Sequence, residues 1–499
     1  MTAPKSKDDA VLQRHMVRGS AWIIGVRWSL RVLGLITTII LARLLTPADY
    51  GVVAIASMIV GVVEVFGRTG QMSALVRYSN PTREHYDSAW TVSLLLGIGL
   101  GGVIWIMAPL TTAYFHEPRA TLIVEILAFR TMLSGAQNIA IVNFQRDLRF
   151  NRQFLFNVIP TLVSFPLTIT MAFVLRNYWV LVISLMTEYA TTFVLSYVME
   201  PFRPRISFSK VREIWSFSVW TLFKNVGIYL NTQVDRVAIG GFAGTPAMGR
   251  YQIASDIATI PSQEVVNPII VVLFPVLAQV QHDFDKRRSL YLTVLYWSAL
   301  VCTSTAVGVA LVTDDFVDLV LGPKWQDVKP IMPWLALSFG VLGMSNSVYT
   351  AFDTIGMPRL SARLQWLRLL GLAAAIVPVA YLTHDLVDVA RTRLIVTIVI
   401  TPTLFLALSR AMGFSVGAII TTLWRPLVAA LTMAAVVLSA NTMITFTGPL
   451  RLFIDVVLGA TSYAATIMVL WNLVGRPQGP ESAFMNRVNS GLALLGRGA

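Results

Sequence analysis

Long apolar stretches recur along the whole chain and are separated only by short polar joints. Each is about as long as the roughly 17–25 residues with which a helix crosses the hydrocarbon core of a bilayer. The stretches are continuous rather than alternating, which favours membrane helices over the strands of a membrane β-barrel. We expect about fourteen transmembrane helices, near residues 20–42, 51–75, 88–110, 120–144, 154–175, 178–199, 214–240, 248–275, 290–312, 329–353, 361–381, 388–409, 421–441 and 450–474.

The composition agrees with this interpretation. Hydrophobic residues make up 55% of the 499-residue chain and charged residues 13%, whereas a soluble domain carries roughly a quarter charged residues. The single cysteine, Cys302, lies in an apolar stretch, and the five histidines are scattered over polar segments. We therefore expect no disulfide framework, no metal site and no cofactor.

The positive charge indicates orientation rather than a nucleic-acid partner. The net charge of +13 is spread over the joints between apolar stretches, not gathered on one polar domain. Lys and Arg are concentrated in alternate joints, and the positive-inside rule places those joints and both termini in the cytoplasm. In this assignment Arg368 counts as an inside residue, and Arg391 and Arg393 lie in an outside joint.

The first two predicted helices form a hairpin that carries charge through an apolar segment. Arg27 and Arg31 are four residues apart in the first arm and therefore share a helical face. Glu64 lies in a polar stripe on one face of the second arm. A charge at such depth costs roughly 2.5–3.5 kcal/mol on insertion scales, so these side chains are expected to face a cavity or a partner.

The hairpin has a counterpart in the second half of the chain. The tripeptide Thr46-Pro47-Ala48 recurs as Thr245-Pro246-Ala247, and Arg27 corresponds to Lys224 when the first arms of the two hairpins are aligned. At a constant offset the stripe of the second helix falls on that of the eighth, so that Ser57 corresponds to Asp256 and Glu64 to Gln263. Asn231 and Asp235 share the stripe of Lys224. Parallel repeats of this kind usually enclose a substrate path.

Two short motifs resemble a known family. Gly19-Ser20-x-Trp22, followed by Leu41-Ala42-Arg43-Leu44-Leu45-Thr46-Pro47-x-Asp49-Tyr50-Gly51, is similar to the beginning of polysaccharide transporters of the multidrug/oligosaccharidyl-lipid/polysaccharide exporter superfamily. The segment Phe144-Gln145-Arg146-Asp147-Leu148-Arg149-Phe150 resembles the basic inner joint after the fourth helix of these proteins. The resemblance implies a Wzx-type flippase of lipid-linked oligosaccharides that works by alternating access.

The predicted architecture combines this resemblance with the repeat. We expect an all-α polytopic membrane protein with two pseudo-symmetric six-helix bundles, two additional C-terminal helices and both termini in the cytoplasm. The predicted divisions are a cytoplasmic tail at 1–19, the N-terminal bundle at 20–199, a cytoplasmic connector at 200–213, the C-terminal bundle at 214–409, the additional helices at 410–474 and a cytoplasmic tail at 475–499.

The implied cargo is a glycan on undecaprenyl pyrophosphate, carried across the bacterial inner membrane. A pyrophosphate needs cationic donors, and the Arg fork binds phosphate oxygens bidentately. Arg27, Arg31, Lys224 and Asn231 are therefore the predicted substrate-binding residues. Glu64, Asp235, Asp256 and Gln263 are predicted to line the cavity, where the carboxylates either couple an ion or neutralise basic neighbours.

Two other functions are alternatives to a flippase. An ion-coupled multidrug exporter of the same superfamily would favour carboxylates over paired arginines in its cavity. A membrane glycan polymerase or ligase would carry a large outer loop, whereas the longest predicted outer joint, near 312–329, is short. The sequence also contains no Walker-type phosphate loop, and Gly97-x-Gly99-x-x-Gly102 lies inside a predicted helix, where it indicates helix packing rather than a nucleotide. Expected partners are the lipid-linked oligosaccharide, membrane lipids and a polysaccharide polymerase with its export machinery, but no nucleic acid.

Overall fold

The computed structural model describes residues 32–67, 75, 81–147, 149–214, 219–261, 277, 283–443 and 448–476. These residues are helical apart from short joints, and no strand occurs among them. The longer helices are α1 (Val32–Leu44), α2 (Pro47–Gly67), α3 (Arg83–Phe115), α4 (Pro118–Gly135), α5 (Phe150–Leu175), α6 (Trp179–Met199), α7 (Val219–Phe242), α8 (Thr245–Pro261), α9 (Phe284–Phe316), α10 (Met332–Thr354), α11 (Pro358–Thr383), α12 (Leu386–Met412), α13 (Val416–Met443) and α14 (Pro449–Leu473).

Ten helices in the described ranges are long and apolar enough to cross a membrane. They are α2, α3, α5, α6, α9 with its extension to Leu321, and α10 to α14. The remaining helices, α1, α4, α7 and α8, overlap predicted spans but do not meet that length and hydropathy criterion. The all-helical class is therefore confirmed, and the number of fourteen transmembrane helices stays a prediction.

By internal packing, the described residues fall into two units. The first contains the residues up to Tyr229 together with Gly244–Gly249, and the second contains Leu230–Ala243 and the residues from Arg250 onward. Both Thr-Pro-Ala tripeptides stand at a helix start, where Pro is well tolerated because the first helical N–H groups have no intrahelical acceptor. At the beginning of α2, Thr46 and Asp49 cap each other through N–H···O bonds of 2.9 Å and 3.3 Å.

Close helix packing in the first unit depends on glycine. A Cβ on Gly97 of α3 would lie 2.7 Å from the Cα of Gly135 in α4, and one on Gly51 would overlap the carbonyl oxygen of Thr245. Gly99 and Gly102 have no atom within 4 Å of an added Cβ. The glycine-rich segment of α3 therefore forms a helix contact on one face only, as its position inside a predicted span indicates.

The connector after α6 lies along the N-terminal end of α3. The side chains of Asp87, Ser88 and Thr91 accept hydrogen bonds of 2.8–3.1 Å from the backbone N–H groups of Arg205, Lys210 and Ser207, in that order. These bonds satisfy backbone N–H groups that have no helical hydrogen-bond partner within the extended connector. The connector is thus held by the first unit.

The core of the second unit lies between α9, α10 and α12. Its buried residues include Tyr291, Phe352 and Leu408. The two C-terminal helices α13 and α14 are added through a separate apolar cluster, in which Met433 and Ile467 meet side chains of α9. The second unit is therefore a helix bundle organised around α9.

Candidate functional site

Five of the eight predicted site residues lie in the described part of the chain. Arg27, Arg31 and Gln263 lie outside it. Glu64 is on α2, Lys224, Asn231 and Asp235 are on α7, and Asp256 is on α8.

Asp235 is the centre of a buried polar cluster in the second unit. Its Oδ2 accepts a hydrogen bond from the Tyr251 hydroxyl and another, at 2.6 Å, from Nη1 of Arg393. The side chains of Asp235 and Arg393 are only 2% and 1% exposed. The guanidinium supplies the counter-charge that a carboxylate needs at this depth. Asp235 therefore forms a buried ion pair with Arg393 and is not an isolated acid.

The position of Arg393 corrects its assignment to an outer joint. Asp385 caps α12 by accepting from the N–H of Val387 at 2.8 Å, so the joint ends there and Arg393 lies two turns inside the helix. Its guanidinium carbon stands 4.8 Å from the ring centroid of Phe339 on α10. A cation over an aromatic face is a favourable buried arrangement.

Asn231 extends the cluster to α11. Its Nδ2 donates to the backbone oxygen of Gln365 at 2.9 Å, and both side chains are buried. One turn further along each helix lie Asp235 and Arg368. Arg368 is 4% exposed and interacts electrostatically with Tyr349, Arg393 and Asp235. Its assignment to an inside flank is therefore also corrected, because it lies in the bundle.

Lys224 and Asp256 have different surroundings. Lys224 is half-buried on α7 and belongs to the first unit. Asp256 is exposed, accepts two bonds of 2.9 Å from Gln252 and lies 3.8 Å from Nη2 of Arg236. The second carboxylate of this hairpin is thus a surface group, unlike Asp235.

Glu64 also has a basic partner. Its Oε1 accepts from Nη2 of Arg130 at 2.6 Å and from the Thr131 hydroxyl at 3.1 Å. The same guanidinium stacks over the ring of Tyr189, 4.2 Å from its centroid. Of the two roles considered for this carboxylate, the contacts match neutralisation of a basic neighbour.

Sequence reasoning missed four members of these clusters: Arg130, Tyr251, Arg368 and Arg393. One signal was available for Tyr251. Asp235 and Tyr251 are equally far from Ala243 at the turn between α7 and α8, so an antiparallel hairpin brings them together. Among the described residues, no group of three or more His, Cys, Asp or Glu side chains could hold a metal ion.

Comparison with known proteins gives the family. A family profile described as "Polysaccharide biosynthesis protein" matches residues 40–330. The succinoglycan biosynthesis transport protein ExoT of Rhizobium meliloti (strain 1021) is 24% identical over 370 residues, 74% of each chain. The lipopolysaccharide biosynthesis protein WzxC of Escherichia coli (strain K12) is 23% identical over 359 residues, 70% of this chain and 71% of WzxC.

Solved structures give the fold. The lipid II flippase MurJ in an inward closed conformation superimposes with a TM-score of 0.73 at 13% identity, over 90% of this chain and 98% of MurJ. An inward-facing multidrug resistance MATE family transporter of the MOP superfamily gives 0.57 at 15% identity, over 78% and 98%. Together with the ten apolar helices, these matches indicate a multi-pass inner-membrane protein. The chain belongs to the polysaccharide biosynthesis protein family.

Proposed function

We propose that this protein is a flippase for undecaprenyl-pyrophosphate-linked oligosaccharide repeat units. It moves them across the bacterial inner membrane by alternating access, for the biosynthesis of exopolysaccharide, O-antigen or capsule. It acts as a transporter rather than an enzyme. The observation that carries the proposal is the match of a polysaccharide biosynthesis profile to a chain whose fold follows that of a lipid II flippase over nearly its whole length.

The polar head of such a cargo must cross hydrocarbon while its lipid tail stays there. A pyrophosphate head needs cationic donors at membrane depth, where Arg provides two parallel N–H donors and Lys a point charge. We assign this role to Arg27, Arg31 and Lys224, with Asn231 as a neutral donor. The support for Lys224 is its half-buried position on α7, the helix that also carries Asn231 and Asp235.

The carboxylates are assigned to ion coupling or to the lining of the transport path. Glu64 and Asp235 each have an Arg partner at 2.6 Å, so either can bind a proton or cation only when that pair opens. Asp256 is more accessible, and Gln263 continues its stripe in the sequence. We therefore propose that ion coupling exchanges the Arg partner of a carboxylate for a proton or a cation.

The proposal includes the architecture expected from the sequence. Two bundles at 20–199 and 214–409 flank the connector at 200–213, the helices at 410–474 are additional, and the tails at 1–19 and 475–499 are cytoplasmic. The exported glycan is passed to a polysaccharide polymerase and its export machinery.

Deletion of the gene, followed by analysis of lipid extracts, tests the function. We expect carrier-linked glycan to accumulate on the cytoplasmic face, because its synthesis continues without translocation. Complementation with Arg27→Ala/Arg31→Ala should leave the accumulation in place at normal protein levels, and complementation with wild type should remove it. Increased drug sensitivity without any accumulated glycolipid would reject the flippase in favour of a multidrug exporter.

A further inference from the structure

The buried cluster of the second unit contains more positive than negative charge. Arg368 and Arg393 are 4% and 1% exposed, and Asp235 at 2% is the carboxylate that interacts with both. Tyr251, Tyr349 and Gln365 complete the cluster with neutral side chains. Among the residues that the structure describes, two guanidinium groups and one carboxylate leave one positive charge without compensation.

The contacts within the cluster show which cation is left over. Oδ2 of Asp235 already accepts from Arg393 and Tyr251. Arg368 forms an ion pair with no carboxylate among the residues that the structure describes. Its helix is fixed one turn earlier by the bond from Asn231 to Gln365. Arg368 is therefore held in place by its neighbours without being neutralised by them.

A buried cation without a partner is strongly unfavourable, because its hydration is lost and nothing replaces it. A helix bundle retains such a residue when the charge meets an opposite charge during function, and intramembrane cations often mark substrate paths. The ligand that suits Arg368 is thus an anion. The planar fork of guanidinium N–H groups matches the spacing of two oxygens on phosphate and pyrophosphate better than a single halide.

A second donor lies beside Arg368. The hydroxyl of Tyr349, on α10, is buried and has no hydrogen-bond acceptor among the described residues. It interacts electrostatically with Arg368. A hydroxyl donor next to a guanidinium fork can bind one more oxygen of the same anion.

We propose that Arg368 and Tyr349 form a binding site for a phosphate-type oxyanion, which we identify as the pyrophosphate of the lipid-linked cargo. This assignment rests on the proposed flippase function. The anion neutralises Arg368 when it binds, so its affinity includes the relief of an uncompensated buried charge.

The test is thermal unfolding of the purified full-length protein in detergent, with undecaprenyl pyrophosphate as the probe. A ligand that binds only the folded state raises the melting temperature. We expect a rise for wild type and for Arg363→Gln, a matched change at an exposed position of the same helix. Arg368→Gln should lower the affinity roughly ten- to a hundredfold, as expected for a lost hydrogen bond to a charged group. Tyr349→Phe should have a smaller effect in the same direction.

Stability without ligand separates this role from a structural one. Arg368→Gln should be as stable as wild type or more stable, because it removes an uncompensated charge. Inorganic pyrophosphate and undecaprenol serve as further probes. Stabilisation by the lipid pyrophosphate alone identifies the cargo, stabilisation also by inorganic pyrophosphate identifies a site open to free oxyanions, and stabilisation by undecaprenol to the same extent overturns the proposal.

Two further results would overturn it: an Arg368→Gln protein that keeps the full ligand-induced shift, or one that is much less stable than wild type without ligand. The flippase proposal can fail separately, since accumulation of glycolipid after gene deletion does not depend on Arg368. An Arg368-dependent shift without such accumulation would retain the site and reject the cargo's translocation.

Discussion

The buried pair of Asp235 and Arg393 should be sensitive to the loss of one partner. Arg393→Met leaves a carboxylate without its counter-charge, and we expect a loss of about 3–5 kcal/mol in the free energy of unfolding. Arg391→Met is the matched control, since Arg391 is exposed and lies 3.7 Å from Asp388. It should change stability by at most about 1 kcal/mol. Thermal or denaturant unfolding in detergent measures both effects.

The double variant Asp235→Asn/Arg393→Met shows whether the effect is one of charge. It removes both ions, so it should recover much of the stability that Arg393→Met loses. Equal instability of the single and double variants would contradict this explanation and would instead indicate lost packing of the Arg393 side chain.

Glu117 provides a pH dependence outside the membrane-spanning helices. Hydrogen bonds of 2.7 Å and 2.8 Å from Arg119, with further help from Thr245, lower the pKa of Glu117 below its ordinary value of 4.5. Because the folded-state pKa is lowered, the stabilisation is fully present above pH 4.5 and is lost as the pH falls through the folded value. Melting temperatures recorded from pH 7 downward should therefore fall less steeply for Glu117→Gln than for wild type.

The exposed Glu84 at the beginning of α3 is the control for this titration. Glu84→Gln should follow the wild-type curve through the acid range. A Glu117→Gln curve that stays parallel to wild type would show that this carboxylate does not contribute to acid sensitivity.

Single residues also show what the sequence could predict about the site. Asp235 can be predicted because it shares a helical stripe with Lys224 and Asn231, which is a local pattern. Its partner Arg393 lies 158 positions away, and no periodicity connects two helices that are so distant in the chain. The sequence counts this cation with the outer joint because Arg393 lies only five residues after the start of the predicted span at 388–409.

At the scale of the helix, α3 offers a matched pair of glycines, of which one packs against α4 and the other does not. Gly97→Ala forces a Cβ to within 2.7 Å of the Cα of Gly135, and overpacking of this kind costs about 1–3 kcal/mol. Gly99→Ala meets no atom within 4 Å and should stabilise the helix by about 0.5–1 kcal/mol. Opposite shifts of the melting temperature are expected, and a loss for both variants would point to a requirement for backbone flexibility instead.

Helices were predicted more accurately than their ends. The fourteen longer helices of the described chain all overlap predicted apolar stretches, because a membrane selects long continuous runs. Boundaries set by side-chain caps were harder to predict. The segment near 312–329, expected to be a joint, continues α9 through a π-helical turn at Val317–Leu321 and buries Trp325.

For the whole molecule, hydropathy predicts the all-helical membrane class. Charged residues within a helix can nevertheless exclude that helix from a count of membrane spans that is based on hydropathy. Helix α7 carries Lys224, Asp235 and Arg236, so it falls outside the ten helices that are apolar enough to be identified by composition. Two of these charged residues, Lys224 and Asp235, are among the predicted site residues. A count based on apolarity therefore omits a helix that carries proposed site residues.

Orientation is the remaining prediction for the whole chain, and α12 allows a direct measurement. Thr383 precedes this helix and Ser415 follows it, and both side chains are exposed. The positive-inside rule places the joint before α12 outside and the joint after it in the cytoplasm. In a Cys302→Ser background, which removes the single native thiol, an impermeable maleimide should label Thr383→Cys in intact cells. Ser415→Cys should react only after the membrane is opened, and the reverse pattern would invert the topology and move both termini outside.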